Sequence, residues 1–204
     1  MILGIDVSTY IEELEHGAKF YDGDLEIDPL DAFRQNGVNY MRIRVWNDPY
    51  SDKKEPYLAG NCDIENYIKL GKLAKSKGFH LLMDLHYSDF WADPAKQMTP
   101  KAWRGLSVDE LAAKVYEFTK ECLKRASDED VLPELIQVGN EITNGFLWPL
   151  GKLEENGKRG NYETFCKFVG AGGRACREAA PKAQIILHLE RSNDKEVYRE
   201  FFTN

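Results

Sequence analysis

The chain has 204 residues, of which 43% are apolar and 30% are charged, a composition that excludes collagen-like, disordered and disulfide-framework proteins. It carries 34 Asp and Glu against 27 Lys and Arg, which argues against a nucleic-acid partner, because binding to phosphates requires surplus basic side chains. No run of apolar residues approaches the ~18 needed to span a membrane, so we expect no membrane partner either.

Five short apolar runs predict β-strands. In chain order they are Ile2–Val7, Val38–Val45, Phe79–Leu85, Leu135–Val138 and Gln184–Leu189. Each is compact and rich in aliphatic residues, as expected for a strand buried on both faces of a parallel sheet.

A helical pattern follows each predicted strand. The helices are predicted from Asp28-Pro29 to Gly37, from the cap Asp63 to Gly78, from the capping box Ser107-Val108-Asp109-Glu110 through Leu123, over Tyr162–Ala179, and over Asp194–Phe202. N-capping residues indicate where these helices begin, and Gly or a following Pro indicates where they end.

Five strand–helix units in succession predict one α/β domain over residues 1–204. Such alternation requires parallel strands, either in an open doubly wound sheet or in a (β/α)₈ barrel. The polar residues that could carry chemistry follow strands two, three and four, which favours the mouth of a barrel. Because eight units would need roughly 330 residues, three alternatives stay open: a piece of a barrel, missing strands supplied by another segment or chain, or an open sheet.

The segment Gln137-Val138-Gly139-Asn140-Glu141-Ile142 ends the fourth predicted strand. A carboxyl group there would point into the barrel mouth, with Asn140 beside it as a donor to a sugar hydroxyl. A glycosidase acid/base needs a partly desolvated carboxyl with a raised pKa. The alternative is that Asn140 and Glu141 merely cap the following helix.

Strands two and three carry further polar residues on one face each. Arg42, Arg44 and Trp46 occupy alternate positions of strand two. Asp84 and His86 share a face of strand three. Buried arginines need carboxylate partners, and such pairs collect in active sites. The alternative is that one or both arginines face the outer helices, and Arg44 is the better candidate for a structural role.

The four tryptophans all follow strands two, three and four, in the predicted loops 46–62, 86–106 and 140–160. They are Trp46, Trp91, Trp103 and Trp148. Their flat apolar faces suit stacking on sugar rings. With an acidic chain and no phosphate-binding turn, carbohydrate is the ligand class that the sequence favours. The four cysteines lack metal-type spacing, and we expect them to be reduced core residues.

Together these segments make the chain resemble glycoside hydrolase family 53, the endo-β-1,4-galactanases. The stretches that carry the resemblance are Gly4–Ser8, Met41–Pro49, His86–Pro94, Lys96-Gln97, Pro100–Trp103, Val138–Ile142, Leu147–Gly151 and Ile186–His188. They lie in the family's order along nearly the whole chain.

The resemblance implies a (β/α)₈ barrel that cleaves β-1,4-galactan without a cofactor. We expect no bound catalytic metal, because none of the four histidines has the i,i+4 helical spacing of a metal site. It implies that Glu141 is the acid/base and that galactan or galacto-oligosaccharide is the partner. It places Arg42, His86 and Asn140 around the sugar at the cleavage point or behind the nucleophile. Asp89, Trp46, Trp91 and Trp148 are expected to contact the substrate.

Retaining enzymes need a second carboxylate about 5 Å from the first, which this clan carries on its seventh strand. We therefore expect the nucleophile to lie outside these 204 residues and the isolated chain to be inactive. Glu190, after the fifth strand, is a weak substitute. Two alternatives remain: a non-catalytic galactan-binding or assembly module, and another β-glycanase of the same clan. Family members usually act outside the cell, and no signal peptide is visible here, so the compartment stays open.

Overall fold

A computed structural model describes residues 1–155 and 157–204. Asn156, which falls in the predicted loop 140–160, lies outside the described residues. The strands are β1 (Gly4–Asp6), β2 (Phe20–Asp22), β3 (Leu25–Ile27), β4 (Tyr40–Val45), β5 (His80–Leu85), β6 (Leu135–Val138), β7 (Glu154–Glu155), β8 (Lys158–Arg159) and β9 (Gln184–Ile186). The α-helices are α1 (Tyr10–Glu15), α2 (Pro29–Gln35), α3 (Ile64–Ser76), α4 (Val108–Asp128), α5 (Tyr162–Ala179) and α6 (Lys195–Thr203). Short 3₁₀ turns cover Lys101–Trp103 and Ile142–Asn144.

The central sheet has the order β1-β4-β5-β6-β9, and every neighbouring pair is parallel. Each successive unit therefore adds its strand on the same side of the preceding one. A doubly wound sheet would reverse direction at a switch point, whereas a (β/α)₈ barrel adds strands in this way. The strand order thus favours the barrel architecture over the open doubly wound alternative.

The helices begin where their capping residues predict. The Asp28 carboxylate accepts a hydrogen bond from the Leu30 N–H at 2.8 Å, and the Asp63 carboxylate accepts one from Asn66 N–H at 2.8 Å. Ser107 and Glu110 form a complete capping box at the start of α4. These side chains satisfy N–H groups that a helix start leaves without partners, so the predicted starts of α2, α3 and α4 are confirmed.

Several elements differ from the prediction. β1 and β9 are shorter than the predicted strands, and α4 runs to Asp128. The short helix α1 and the hairpins β2–β3 and β7–β8 were not predicted. These additions have two to six residues each and bury little apolar surface, so they leave almost no hydrophobic periodicity in the sequence. All of them lie in connections and leave the order of the central strands unchanged.

Three cysteines match the expectation and one does not. Cys62, Cys122 and Cys176 are buried, and burial raises the pKa of the Cys62 and Cys176 thiols to about 12. Cys166 is exposed instead of buried, because its position on α5 faces away from the sheet. None of the four thiols is in a disulfide.

Across residues 1–155 and 157–204, every helix is too short or too polar to cross a lipid bilayer.

Candidate active site

Polar side chains from four neighbouring strands meet at the C-terminal edge of the central sheet. The register pairs Asp6 of β1 with Arg42 of β4, and it pairs Arg44 of β4 with Asp84 of β5. Asp84 is in turn opposite Gln137 of β6. The five residues therefore occupy two successive levels on one face of the sheet, because the side chains of parallel strands alternate with the same period.

The Asp84 carboxylate is the centre of this group and is completely buried. It pairs with the Arg42 guanidinium at 2.5 Å and accepts hydrogen bonds from His86 Nε2 at 2.8 Å and from the Gln137 side-chain amide. A buried charge is tolerated only when it is paired and hydrogen-bonded. Three donors supply that compensation here.

His86 is held in one tautomer by its neighbours. Its Nδ1 accepts hydrogen bonds from the Trp46 indole N–H and from the Ala92 backbone N–H, both at 3.2 Å. Its other nitrogen, Nε2, therefore carries the proton and donates to Asp84. Both ring nitrogens are engaged and the side chain is buried, so His86 positions Asp84 and has no free nitrogen for a substrate.

The Arg42 guanidinium joins three strands. Nη1 lies 2.5 Å from Asp6 Oδ2, and Nη2 donates to Asn140 Oδ1 at 2.7 Å in addition to its pair with Asp84. Its planar fork of donors allows this simultaneous engagement. Arg42 is thus fixed beside Asn140, where the sequence placed it, and about a quarter of its side chain remains exposed.

Asn140 is oriented by hydrogen bonds on both sides of its amide. Its Nδ2 donates to the Ala92 carbonyl at 2.8 Å, and its Oδ1 accepts from Arg42 and from His188 Nδ1 at 2.9 Å. Burial, followed by the positive charge of Arg42, lowers the pKa of His188. One N–H of Asn140 is left without a partner in these contacts, in keeping with the predicted donor to a sugar hydroxyl.

The turn that carries Glu141 adopts a conformation that few residues accept. Gly139 has φ +84, and a Cβ there would lie 2.5 Å from Ile142 Cγ2. Glu141 itself has φ 52 and ψ 49, the left-handed region that non-glycine residues rarely occupy. Such strain clusters at functional sites because it re-aims a side chain.

Contacts from two neighbouring units hold this turn. The buried Gln97 amide donates to the Asn140 carbonyl at 2.8 Å and to the Glu141 carbonyl at 3.2 Å. The Ile142 N–H donates to the His188 carbonyl at 2.9 Å. The backbone of Glu141 is therefore fixed from both sides.

The Glu141 side chain does not cap the 3₁₀ turn that follows it, which removes the capping alternative. Burial raises the pKa of its carboxyl, and the negative charges of Glu190 and Asp93 raise it further. Arg42 and His86 act on the pKa in the opposite direction. Glu141 thus lies within electrostatic reach of the Arg42–His86 cluster, with a carboxyl that holds its proton more strongly than an exposed glutamate.

The four tryptophans do not form a single exposed rim. Trp46 is 0% exposed and Trp103 is 5% exposed. Trp46 donates to His86, and Trp103 packs on Phe118 of α4. The prediction that Trp46 contacts the substrate is wrong, because a completely buried ring offers no surface to a sugar. Its role is to hold His86.

Trp91 and Trp148 are half-buried, as a sugar-contacting ring requires. The buried Arg44 guanidinium lies 4.0 Å from the Trp91 ring centroid, a cation–π contact that fixes one face of the ring. The Trp148 indole N–H donates to the Asn144 carbonyl at 3.0 Å, and Lys152 lies 4.7 Å from its ring. Substrate contact by these two rings stays a prediction.

Asp89 joins two loops. One carboxylate oxygen accepts from the Asp48 N–H at 3.1 Å and from Asn47 Nδ2 at 3.3 Å, and the other accepts from the Lys101 N–H at 2.7 Å. Asp89 is therefore a loop anchor in the free protein, and contact of its carboxylate with a sugar stays a prediction.

Three further residues of the site have no role that the sequence alone indicates. Gln137 and Gln97 are buried amides whose roles depend on partners 40 to 95 residues away in the chain. For His188 the sequence offers only its place at the end of the Ile186–His188 stretch. The side chains of Gln137 and Asp84 lie on the same face of neighbouring strands. The alternation of side chains along β6 is the only signal in the sequence that could identify Gln137.

The chain is similar to known proteins of one family. The sequence profile described as glycosyl hydrolase family 53 matches residues 2–204. An endo-β-1,4-galactanase of Bacillus subtilis is 40% identical over 189 residues, which cover 92% of this chain and 42% of that protein. A probable arabinogalactan endo-β-1,4-galactanase A of Aspergillus terreus is 34% identical over 202 residues, covering 98% of this chain and 54% of that protein.

Among solved structures, the GH53 catalytic domain of Ignisphaera aggregans superposes with a TM-score of 0.88 at 40% sequence identity. The match covers 98% of this chain and 55% of that one. The chain therefore spans about half the length of the curated relatives and of the solved domain that it matches.

Proposed function

This chain belongs to glycosyl hydrolase family 53, and on that premise we propose that it carries the acid/base of an endo-β-1,4-galactanase. Its fold is that of the first five units of a (β/α)₈ barrel. The names of the relatives from Bacillus and Aspergillus give the substrate class.

The observation that carries the proposal is the environment of Glu141. Its carboxyl stands at the end of β6, on a strained turn held by Gln97, with a pKa raised by burial and by neighbouring negative charge. A glycosidase acid must be protonated when the glycosidic bond breaks. Glu141 then donates its proton to the leaving oxygen, and the resulting carboxylate accepts a proton from the attacking water.

The buried cluster behind Glu141 positions the groups that face the sugar. Asp84 and Asp6 fix the Arg42 guanidinium, and Arg42 and His188 fix the Asn140 amide. These contacts are made before any substrate binds, so little reorganisation is needed in the transition state. In this proposal Asn140 donates to a hydroxyl of the sugar at the cleavage point.

The stereochemical course belongs to the same proposal. A retaining enzyme places a nucleophilic carboxylate about 5 Å from the acid/base. We assign that nucleophile to the part of the family fold outside these residues. Glu190 accepts a hydrogen bond from the Thr143 hydroxyl at 2.6 Å and raises the pKa of Glu141, so we interpret it as a modulating charge.

The test is hydrolysis of β-1,4-galactan by the full-length polypeptide that carries these residues. Glu141→Gln cannot donate a proton, and we expect the release of reducing ends to fall about 10²–10⁴-fold. The matched control is Glu163→Gln, which removes the same charge from an exposed position on α5 and should leave activity unchanged.

Two results would contradict the proposal. Reducing ends released from β-1,4-glucan or β-1,4-mannan but not from galactan would refute the substrate class. Equal activity of the Glu141→Gln variant and the wild type would refute the acid/base assignment.

A further inference from the structure

Two aromatic side chains beside the candidate site remain exposed although they pack on each other. Tyr57 is 39% exposed and Phe90 is 36% exposed. Their ring centroids are 5.9 Å apart and their planes cross at 82°. Tyr57 lies in the loop after β4 and Phe90 in the loop after β5, so neither ring was part of the predicted tryptophan rim.

A continuous series of ring contacts links this pair to the catalytic cluster. Phe90 lies 4.9 Å from Trp46, and Trp46 lies 5.8 Å from Trp91. Trp91 in turn lies 6.2 Å from His86. The exposed rings are therefore an outward extension of the site that contains Glu141, on the same edge of the sheet.

The loops that present these rings are firmly held. The Lys101 ammonium donates to the Asp48 and Tyr50 carbonyls at 2.7 and 2.8 Å, and Asp89 accepts from both loops. The Tyr57 N–H donates to the Pro49 carbonyl at 2.9 Å. Because the backbone is fixed, the rings stay exposed to water in the free protein, and a ligand that covers them gains affinity at little ordering cost.

Galactose offers a complementary surface. Its axial 4-hydroxyl lies on one side of the ring, so the other side presents a patch of C–H groups that packs against aromatic rings. We propose that Tyr57 and Phe90 form an aromatic platform for galactose units of a galactan chain that are remote from the bond being cleaved. This inference rests on the proposed function. It adds two residues that contact sugars beyond the reacting one, so they strengthen the binding of longer oligosaccharides.

The test is the affinity of the chain for β-1,4-galacto-oligosaccharides of increasing length, measured by calorimetry. The variants are Tyr57→Ala and Phe90→Leu, singly and combined; leucine keeps an apolar contact with Trp46 while removing the aromatic face. We expect the double variant to bind the hexasaccharide about tenfold more weakly than the wild type and to bind the disaccharide equally well.

Tyr21→Ala and Phe202→Leu are the matched controls. Both remove exposed aromatic rings, on β2 and on α6, that take no part in the series of ring contacts. We expect both to bind every oligosaccharide like the wild type. Thermal unfolding of all variants verifies that each one is folded.

The possible outcomes separate this inference from the function on which it rests. Three results would each overturn the platform. The double variant could bind the hexasaccharide as tightly as the wild type, it could lose the same affinity at every oligosaccharide length, or the wild type could bind the hexasaccharide no more tightly than the disaccharide. Length-dependent binding of gluco-oligosaccharides alone, lost in the double variant, would keep the platform and refute the galactan substrate.

Discussion

Glu141 combines two requirements that conflict in an ordinary glutamate. It must be desolvated enough for its pKa to rise, and it must stay accessible to the substrate. Burial raises the pKa first, and Glu190 and Asp93 add to the shift, while Arg42 limits it. A carboxyl of this kind destabilises the folded state when it is ionised, so the site carries a cost in stability that the acid/base role explains.

We therefore predict that Glu141→Gln stabilises the fold at neutral pH. The folded state keeps its proton at pH values where the unfolded chain has lost it, so wild-type stability falls, relative to the variant, as pH rises through the folded pKa. Below about pH 4.3, where a glutamate of the unfolded chain is also protonated, the difference should vanish. The gain should not exceed about 1 kcal/mol, because solvent screens a partly exposed carboxyl.

Urea unfolding of the two proteins between pH 4 and pH 8 measures this effect. The control is again Glu163→Gln, which removes one carboxylate from an exposed position on α5 and so measures the effect of net charge alone. A Glu141→Gln variant that is less stable than the wild type at pH 8 would contradict the prediction. It would mean that the carboxylate makes a favourable contact in the folded state.

At the scale of elements, the turn after β6 depends on a glycine. Gly139 has positive φ, and its missing Cβ leaves room for Ile142, which packs in the core. The same turn sets the direction of Glu141. A substitution that distorts this turn should therefore reduce both the stability of the fold and the rate of catalysis.

We predict that Gly139→Ala destabilises the fold by about 2–4 kcal/mol. Strain at positive φ contributes about 1 kcal/mol, and the 2.5 Å contact with Ile142 adds a rearrangement of the core. Gly105→Ala is the matched control: its φ is +81, but no atom lies within 4 Å of a Cβ there. It should show only the backbone part of the loss in chemical unfolding. Equal losses in the two variants would contradict the steric part of the argument.

The elements differ in how well the sequence predicts them. β6 was predicted with its observed bounds, and so was α5, because a buried strand is a short apolar run and a long amphipathic helix repeats its pattern over several turns. The hairpin β2–β3 and the helix α1 were missed because their positions are mostly exposed. Capping residues fixed the starts of helices more reliably than any signal fixed their ends.

For the site, the sequence predicts which residues lie close together. It does not predict which atoms each of them contacts. Strand order brings Arg42, His86 and Asn140 together: Arg42 donates to Asn140, and both Arg42 and His86 contact Asp84. Alternation cannot distinguish a tryptophan at the rim from one beneath it, so Trp46 was misjudged. The alternation pattern also cannot predict the hydrogen-bond donors around Asp89, because these donors come from loops whose paths depend on the whole fold.

At the scale of the whole molecule, five parallel strands leave β1 and β9 each with one neighbour among the described strands. The relatives that match this chain are about twice as long. We infer that the acid/base and the nucleophile belong to different halves of the family fold. The half that this chain forms has Glu141 and the aromatic platform, so it should bind galactan without cleaving it.

We therefore predict that the 204-residue chain binds β-1,4-galacto-oligosaccharides and releases no reducing ends from galactan. The covalent step needs a carboxylate about 5 Å from Glu141, and a misplacement of about 1 Å costs two orders of magnitude in rate. Calorimetry and a reducing-end assay on the same preparation measure both properties. Turnover that is lost in Glu141→Gln but retained in Glu190→Gln would refute the division between halves, because a nucleophile other than Glu190 would then lie within this chain. Turnover lost in both variants would assign the nucleophile to Glu190 and would equally refute that division.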